Sequence, residues 1–165
     1  MRVALSLLVC VLVFGCGPSS KEVRTAKLAE YNAQTNQILD IATQVAQRNY
    51  KIADIDPQRG KIFTSAQWYS AEGGRRGTAN EGNGDYLVNM SGGDIELSLE
   101  ITVLGAAGGR VIVAIEPRTR QLVAGSPQPR PLAPNDPNLP PWVTGRVDTL
   151  AVDIYNAAKQ FAQAN

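Results

Sequence analysis

The sequence predicts a two-layer α+β domain, in which a four-stranded antiparallel sheet is packed on one face by an N-terminal and a C-terminal helix, in the order α-β-β-β-β-α. Three observations predict it. Residues 21–48 contain neither Gly nor Pro and carry apolar side chains at helical spacing. Residues 95–103 alternate strictly, with Ile95, Leu97, Leu99, Ile101 and Val103 on one side and Glu96, Ser98, Glu100 and Thr102 on the other. From Val143 to Gln163 the helical spacing returns. A sheet with one apolar face and two amphipathic helices closes most economically as two layers.

Ser19-Ser20-Lys21-Glu22 has the form of a capping box, Ser19 accepting from the first turn and Glu22 reaching back. Leu28, Tyr31, Thr35, Ile38, Ala42 and Val45 then recur every three or four residues, and Leu39 and Ile41 widen the stripe, so one continuous helix is expected. Too few clean heptads follow one another for a coiled-coil seam, so the stripe reads as a core face. Residues 50–55 read as the first strand. Asp56-Pro57-Gln58-Arg59-Gly60 reads as its turn, Pro presetting φ and Gly permitting a positive one. The second strand would place Ile62, Thr64, Ala66 and Trp68 on one face and Phe63, Gln67 and Tyr69 on the other.

A Gly-rich insert at 72–93 holds seven glycines and a short extended piece at Tyr86-Leu87-Val88. The alternating run is the third strand. A glycine-rich turn at 105–109 leads to a fourth over 110–116, which Pro117 should stop, with Gln121-Leu122-Val123 as a short extension beyond. A Pro-rich strap at 126–142 carries seven prolines, of which Pro131, Pro134, Pro137 and Pro140 fall every third residue, the period of polyproline II. The last helix takes Thr144 as N-cap and places Asp148 near its positive end, and Val147, Leu150, Ile154, Ala158 and Phe161 form its stripe.

The 165 residues are 44% hydrophobic and 19% charged, with 16 Lys+Arg against 15 Asp+Glu, which suits one ordered domain and not a disordered chain. A formal charge of +1 lacks the dense basic face of a nucleic-acid binder. There is no histidine, and both cysteines lie in the first sixteen residues. His-dependent triads and His-ligated metals are excluded, and no cofactor or metal is expected.

Met1-Arg2 supplies one positive charge, and Val3 to Phe14 is a twelve-residue run in which only Ser6 is polar. That is short of the ~20 apolar residues of a membrane-spanning helix and matches a signal-peptide apolar region. The run ends in Val13-Phe14-Gly15-Cys16. This segment resembles the lipobox of bacterial lipoproteins, in which signal peptidase II cuts before the cysteine and the cysteine becomes the lipidated N-terminus. The resemblance implies that Val13, Phe14 and Gly15 are read by the peptidase and that Cys16 carries the lipid. It divides the chain into a signal peptide (1–15), a lipidated Cys with a short tether (16–21) and a single α+β domain (22–165). Asp directly after the cysteine is the usual inner-membrane retention signal of such proteins. Gly17 stands there, which implies an outer-membrane anchor facing the periplasm. Gly17, Pro18, Ser19 and Ser20 reach at most roughly 14 Å, so the first helix should lie close to the bilayer. The order of helix, Tyr50…Asp56 and Gly60…Trp68 is loosely similar to helix-grip domains of envelope lipoproteins such as the BamC subunit of the outer-membrane assembly machine, a likeness of element order that transfers no functional residues.

Asp54 and Asp56 point to one side of a strand end, as general acid–base pairs or calcium ligands do, although a solvated strand end with an Asx turn into Pro57 explains them as well. Asn80-Glu81-Gly82-Asn83-Gly84-Asp85 has only a faint calcium-loop pattern, without the alternating carboxylates. In Gly73-Gly74-Arg75-Arg76-Gly77, Arg75 and Arg76 are candidate anion or partner contacts, set against a mobile loop whose arginines are simply solvated. Pro131 and Pro134 on the strap, and Trp142 after it, are candidate partner contacts, with a rigid connector and a core anchor as the plainer readings. An enzyme lacking His and Cys would need carboxylates, a nucleophilic Lys or a Ser–Lys pair, and among five lysines only Lys21 of the tether follows a serine. The expectation is a non-enzymatic, lipid-anchored protein-binding or assembly module whose sheet edge or strap contacts an envelope protein. The alternative is a carrier or sensor holding a small apolar ligand or lipid between the last helix and the sheet. A hydrolase using Asp54 and Asp56 ranks last.

Overall fold

A computed structural model of the chain describes residues 17–76, 90–126 and 128–163. The lipobox residues Val13, Phe14, Gly15 and Cys16, the extended piece at Tyr86-Leu87-Val88 and the stretch from Asn80 to Asp85 lie outside the described residues. The elements are α1 (Ser20–Lys27), α2 (Thr35–Gln47), β1 (Ile52–Asp56), β2 (Lys61–Thr64), β3 (Gln67–Tyr69), β4 (Ile95–Gly105), β5 (Val111–Gln121), β6 (Arg130–Leu132) and α3 (Pro141–Ala158). The α+β class and the two-layer plan are present, but among the described residues there are six strands rather than four and three α-helices rather than two. All pairings are antiparallel, in the order β1-β2-β4-β5-β6, with β3 on the same side of β4 as β2. Helices α2 and α3 pack on one face of the sheet, and α1 lies on α3.

The expected single N-terminal helix is two helices. Its start is as read: the Ser19 hydroxyl accepts from the Glu22 backbone N–H at 3.3 Å, and the Glu22 carboxylate accepts from the Ser19 N–H at 2.7 Å. The break falls between Leu28 and Gln34, because Tyr31 exchanges backbone hydrogen bonds with Val111 at 2.8 and 3.0 Å. Asn32 donates to the Phe161 carbonyl, and Gln163 donates to that of Glu30. These bonds use the backbone groups that a continuous helix would pair internally. Tyr31 is still buried, but through an extended backbone, while Leu28 of the expected stripe is 60% exposed.

The expected second strand is also two pieces, and the burial phase changes between them. Ile62 and Thr64 face inward in β2, whereas in β3 it is Tyr69 that is buried. At the break the Thr64 hydroxyl accepts from the Leu99 N–H at 2.8 Å and stands in for the missing ladder partner. Pro117 does not stop β5, which continues to Gln121 with Pro117 opposite Leu99. The Leu99 N–H turns toward Thr64, so this is a non-hydrogen-bonded pair and the proline nitrogen points to the outer edge, where no donor is required.

The strap is not a continuous polyproline helix. Arg130–Leu132 pairs with β5, and residues 133–139 fold into turns held by Asp136 N–H to the Ala133 carbonyl and Leu139 N–H to that of Asp136. The last helix begins at Pro141 with Pro140 as N-cap, earlier than the expected Thr144 cap, since proline at the first helical position loses no intrahelical bond. Between the layers Ile38, Ile62, Leu99, Ile101, Leu150 and Ile154 are each at most 2% exposed.

Candidate functional site

Three surface features carry polar or apolar groups in a fixed arrangement. The first is a cleft of about 650 Å³ at the start of α3, lined by Gly17, Pro18, Tyr50, Trp142, Arg146 and Asp153 among others. Trp142 and Arg146 lie one helical turn apart and so share a face of α3. The Trp142 Nε1–H donates to the Ala71 carbonyl at 2.8 Å, and Arg146 Nη2 donates to that of Gly73 at 3.1 Å. The guanidinium carbon sits 4.4 Å from the Tyr69 ring centroid and 5.4 Å from that of Trp142, and the two rings lie 5.2 Å apart. The helix start is thereby clasped to the loop after β3 by cation–π contacts and two hydrogen bonds. Burial pushes the Tyr50 hydroxyl up from its ordinary pKa, and Arg146 beside it pulls in the opposite direction.

The second feature is the sheet face opposite the helices. Glu100, only 4% exposed, receives Lys61 Nζ at 2.5 Å on one oxygen and Arg118 on the other. Lys61 first and Arg118 second hold its carboxyl below the usual range. Glu96 and Arg120 form a further pair across the same ladder.

The third is the outer edge of β5. Tyr31 bonds Val111 at one end and β6 begins opposite Thr119 at the other. Among the described residues the ladder positions between them, Val113 and Ile115, have no strand beside them. A groove of about 490 Å³ runs along this edge, lined by Leu28, Ile112, Val113, Ala114, Ile115 and Val147 with Lys27 and Glu30 at its rim.

The residues singled out in the sequence do not meet in one place. Arg76 does not stand free in a loop: its guanidinium forms a bidentate pair with Asp94, at 2.8 and 3.1 Å, and Asp94 is 2% exposed. Arg75 is exposed, makes a β-bridge with Tyr69 and donates to Gln67 Oε1. The reading of two merely solvated arginines is corrected accordingly, since the chain at 75–76 continues the pairing of β3. Pro131 is exposed on β6, the edge strand, and Pro134 is exposed in the turn that follows. Trp142 is half-buried and is both anchor and lining of the cleft. Asp54 is exposed, while Asp56 accepts from the Gln58 and Arg59 N–H groups at 3.1 Å, an Asx turn. Among the described residues no group of three His, Cys, Asp or Glu side chains is placed to hold a metal.

Sequence reasoning missed Arg146 and Asp94, and it named a sheet edge without identifying β5 as the strand that supplies it. Trp142 and Arg146 at i and i+4 were a visible signal, but their partner Tyr69 comes from a distant strand. Asp94 is a lone carboxylate before a strand and has no local signature. The chain matches no protein-family model and no curated protein sequence. Among the described residues no helix is long and apolar enough to cross a membrane.

Proposed function

We propose that this chain is a lipid-anchored protein of the cell envelope, attached through Cys16 to the outer membrane and facing the periplasm, which acts without catalysis by binding another envelope protein. The observation that carries the binding role is the β5 edge. Two adjacent outward ladder positions, Val113 and Ile115, lie open beside an apolar groove, the arrangement that accepts an extended segment as an added strand. Main-chain bonds to the edge would supply affinity, and side chains of alternate residues would enter the groove beside Leu28 and Val147. Pro117 and the Tyr31 bridge shorten this edge and limit indiscriminate sheet growth. The space between helices and sheet, where a carrier would hold its cargo, is filled by the buried Ile, Leu and Val side chains, which favours partner binding over transport.

The anchor is tested by intact-mass measurement of the membrane fraction, where a diacyl or triacyl mass on Cys16 is expected and an unmodified thiol with Met1 retained would reject it. The edge is tested with Val113→Pro, which removes one outward N–H, against Val113→Ala, which trims the side chain and keeps it. The partner recovered from detergent extracts with the parent chain should be lost with the first variant and kept with the second. Equal recovery with both would reject strand addition.

A further inference from the structure

We infer that the cleft at the start of α3 is the side of the domain that lies on the bilayer, with anionic lipid head groups as its partner and the open sheet face turned away. The inference rests on the proposed acylation of Cys16 and adds an orientation to it. The described chain begins inside this cleft: Gly17 and Pro18 line it with Tyr50, Trp142 and Arg146, and Ser19 is already committed to capping α1. Only Gly17 and Pro18 separate Cys16 from that capped position, a reach of at most roughly 11 Å. A lipid at Cys16 therefore holds this face against the membrane, and no slack remains for the domain to turn over.

The chemistry of the face agrees. Trp142 and Tyr50 offer the amphipathic rings that settle at head-group depth. Arg24 lines an adjoining groove with Pro18, Lys21 is exposed at the start of α1 and lines a further groove with Ser19 and Tyr155, and Arg48 is exposed two residues before Tyr50. Among the described residues none of these three cations has an acidic partner. Arg146 adds a fourth positive charge within the cleft, against Asp153, while Asp148 is occupied by Lys27 at 2.6 Å. Cations this close to a surface draw anionic lipid, each worth about a fivefold gain in local association. On the opposite face, among the described residues, Glu100 is paired with Lys61 and Arg118 and Glu96 with Arg120, a net of one positive charge against the three of the cleft side once Asp153 is set against Arg146.

The test uses the full-length acylated chain in vesicles of phosphatidylethanolamine with one part in roughly four phosphatidylglycerol, acyl chains brominated near the head group so that contact quenches tryptophan. The two tryptophans serve as reporters of opposite sides. A Trp68→Phe chain, reporting Trp142, should be quenched about twofold or more, and a Trp142→Phe chain, reporting Trp68, should be nearly unaffected. Adding Lys21→Glu and Arg24→Glu to the first should cut its quenching by about half or more at unchanged circular dichroism, as should omission of the anionic lipid. Stronger quenching of Trp68 than of Trp142, or quenching indifferent to the anionic lipid, overturns the orientation while an acylated mass on Cys16 leaves the anchor standing. An unmodified Cys16 overturns both. Quenching of Trp142 by lipid that disappears once envelope proteins are added would still support the orientation. Its absence both with and without such proteins would overturn the orientation.

Discussion

At Gly73 an added β-carbon would stand 2.8–3.1 Å from the Trp142 indole, on a backbone that already holds φ at +88°. Both facts forbid a side chain, the first because an aromatic ring fixed by its hydrogen bond to Ala71 cannot retreat, the second because L-residues avoid that region. Gly73→Ala should therefore destabilise the fold by about 1–3 kcal/mol and loosen Trp142, read as a lowered denaturant midpoint with a red-shifted emission. Emission unchanged from the parent would show that the loop relaxes and that the clasp is not tight. This residue-scale arrangement was half legible. Trp142 stood out as either an anchor or a contact; it anchors the loop after β3, and its ring also lines the cleft. The need for glycine at 73 was hidden in a run of glycines that all looked like loop, because the ring that demands it comes from α3.

At the scale of elements, what the chain revealed was whatever a single strand or helix decides alone. The alternation of 95–103 depends only on one face being buried, and β4 follows it with Ile95, Leu97, Leu99, Ile101 and Val103 all at most 2% exposed. The capping box is equally local. The errors have the opposite character. Tyr31 keeps helical spacing with Leu28 and Thr35, yet its backbone is claimed by Val111 across the fold, and no periodicity reports that competition. Pro117 read as a stop because proline lacks a donor, but whether the missing donor matters depends on which neighbour that nitrogen faces, a matter of register. The β2–β3 break shows how such a join is kept from costing a hydrogen bond. The Thr64 hydroxyl, 4% exposed with its residue, takes the Leu99 N–H. Thr64→Val keeps the volume and removes the acceptor, and should lower stability by about 1–3 kcal/mol, whereas Thr64→Ser should recover most of the loss. Equal stability of the valine and parent chains in urea would mean that Leu99 finds another partner.

For the whole molecule the distribution of titrating groups sets the pH range over which the domain stands. The sequence has no histidine, so stability should be nearly flat across neutral pH, with its losses at the two ends. At the acid end the folded pKa of the buried Glu100 is lowered by Lys61 and Arg118, and Asp136 and the exposed Glu22 and Glu72 are shifted in the same direction by hydrogen bonds. A lowered folded pKa means that the unfolded chain binds protons first. The contribution is complete above the unfolded carboxylate value of about 4.3 and is lost as pH falls below it through the folded value. At the alkaline end burial pushes Tyr31 up to about 12 and raises Tyr50 as well. Here the unfolded chain releases protons first, so the contribution is intact below about pH 10 and is lost as pH rises from there toward the folded value. Thermal midpoints followed by circular dichroism should thus form a plateau with two falling limbs. Tyr31→Phe removes one group that must ionise and should move the alkaline limb to higher pH. Glu100→Gln should lower the plateau, because Lys61 and Arg118 lose their partner, and should make the acid limb shallower. A midpoint that slopes between pH 6 and 8, or an alkaline limb unmoved by Tyr31→Phe, would show that other groups control the titration. Glu100 and Tyr31 lie on opposite faces of one sheet, joined through the β4–β5 ladder, so both limbs should report the same cooperative unfolding.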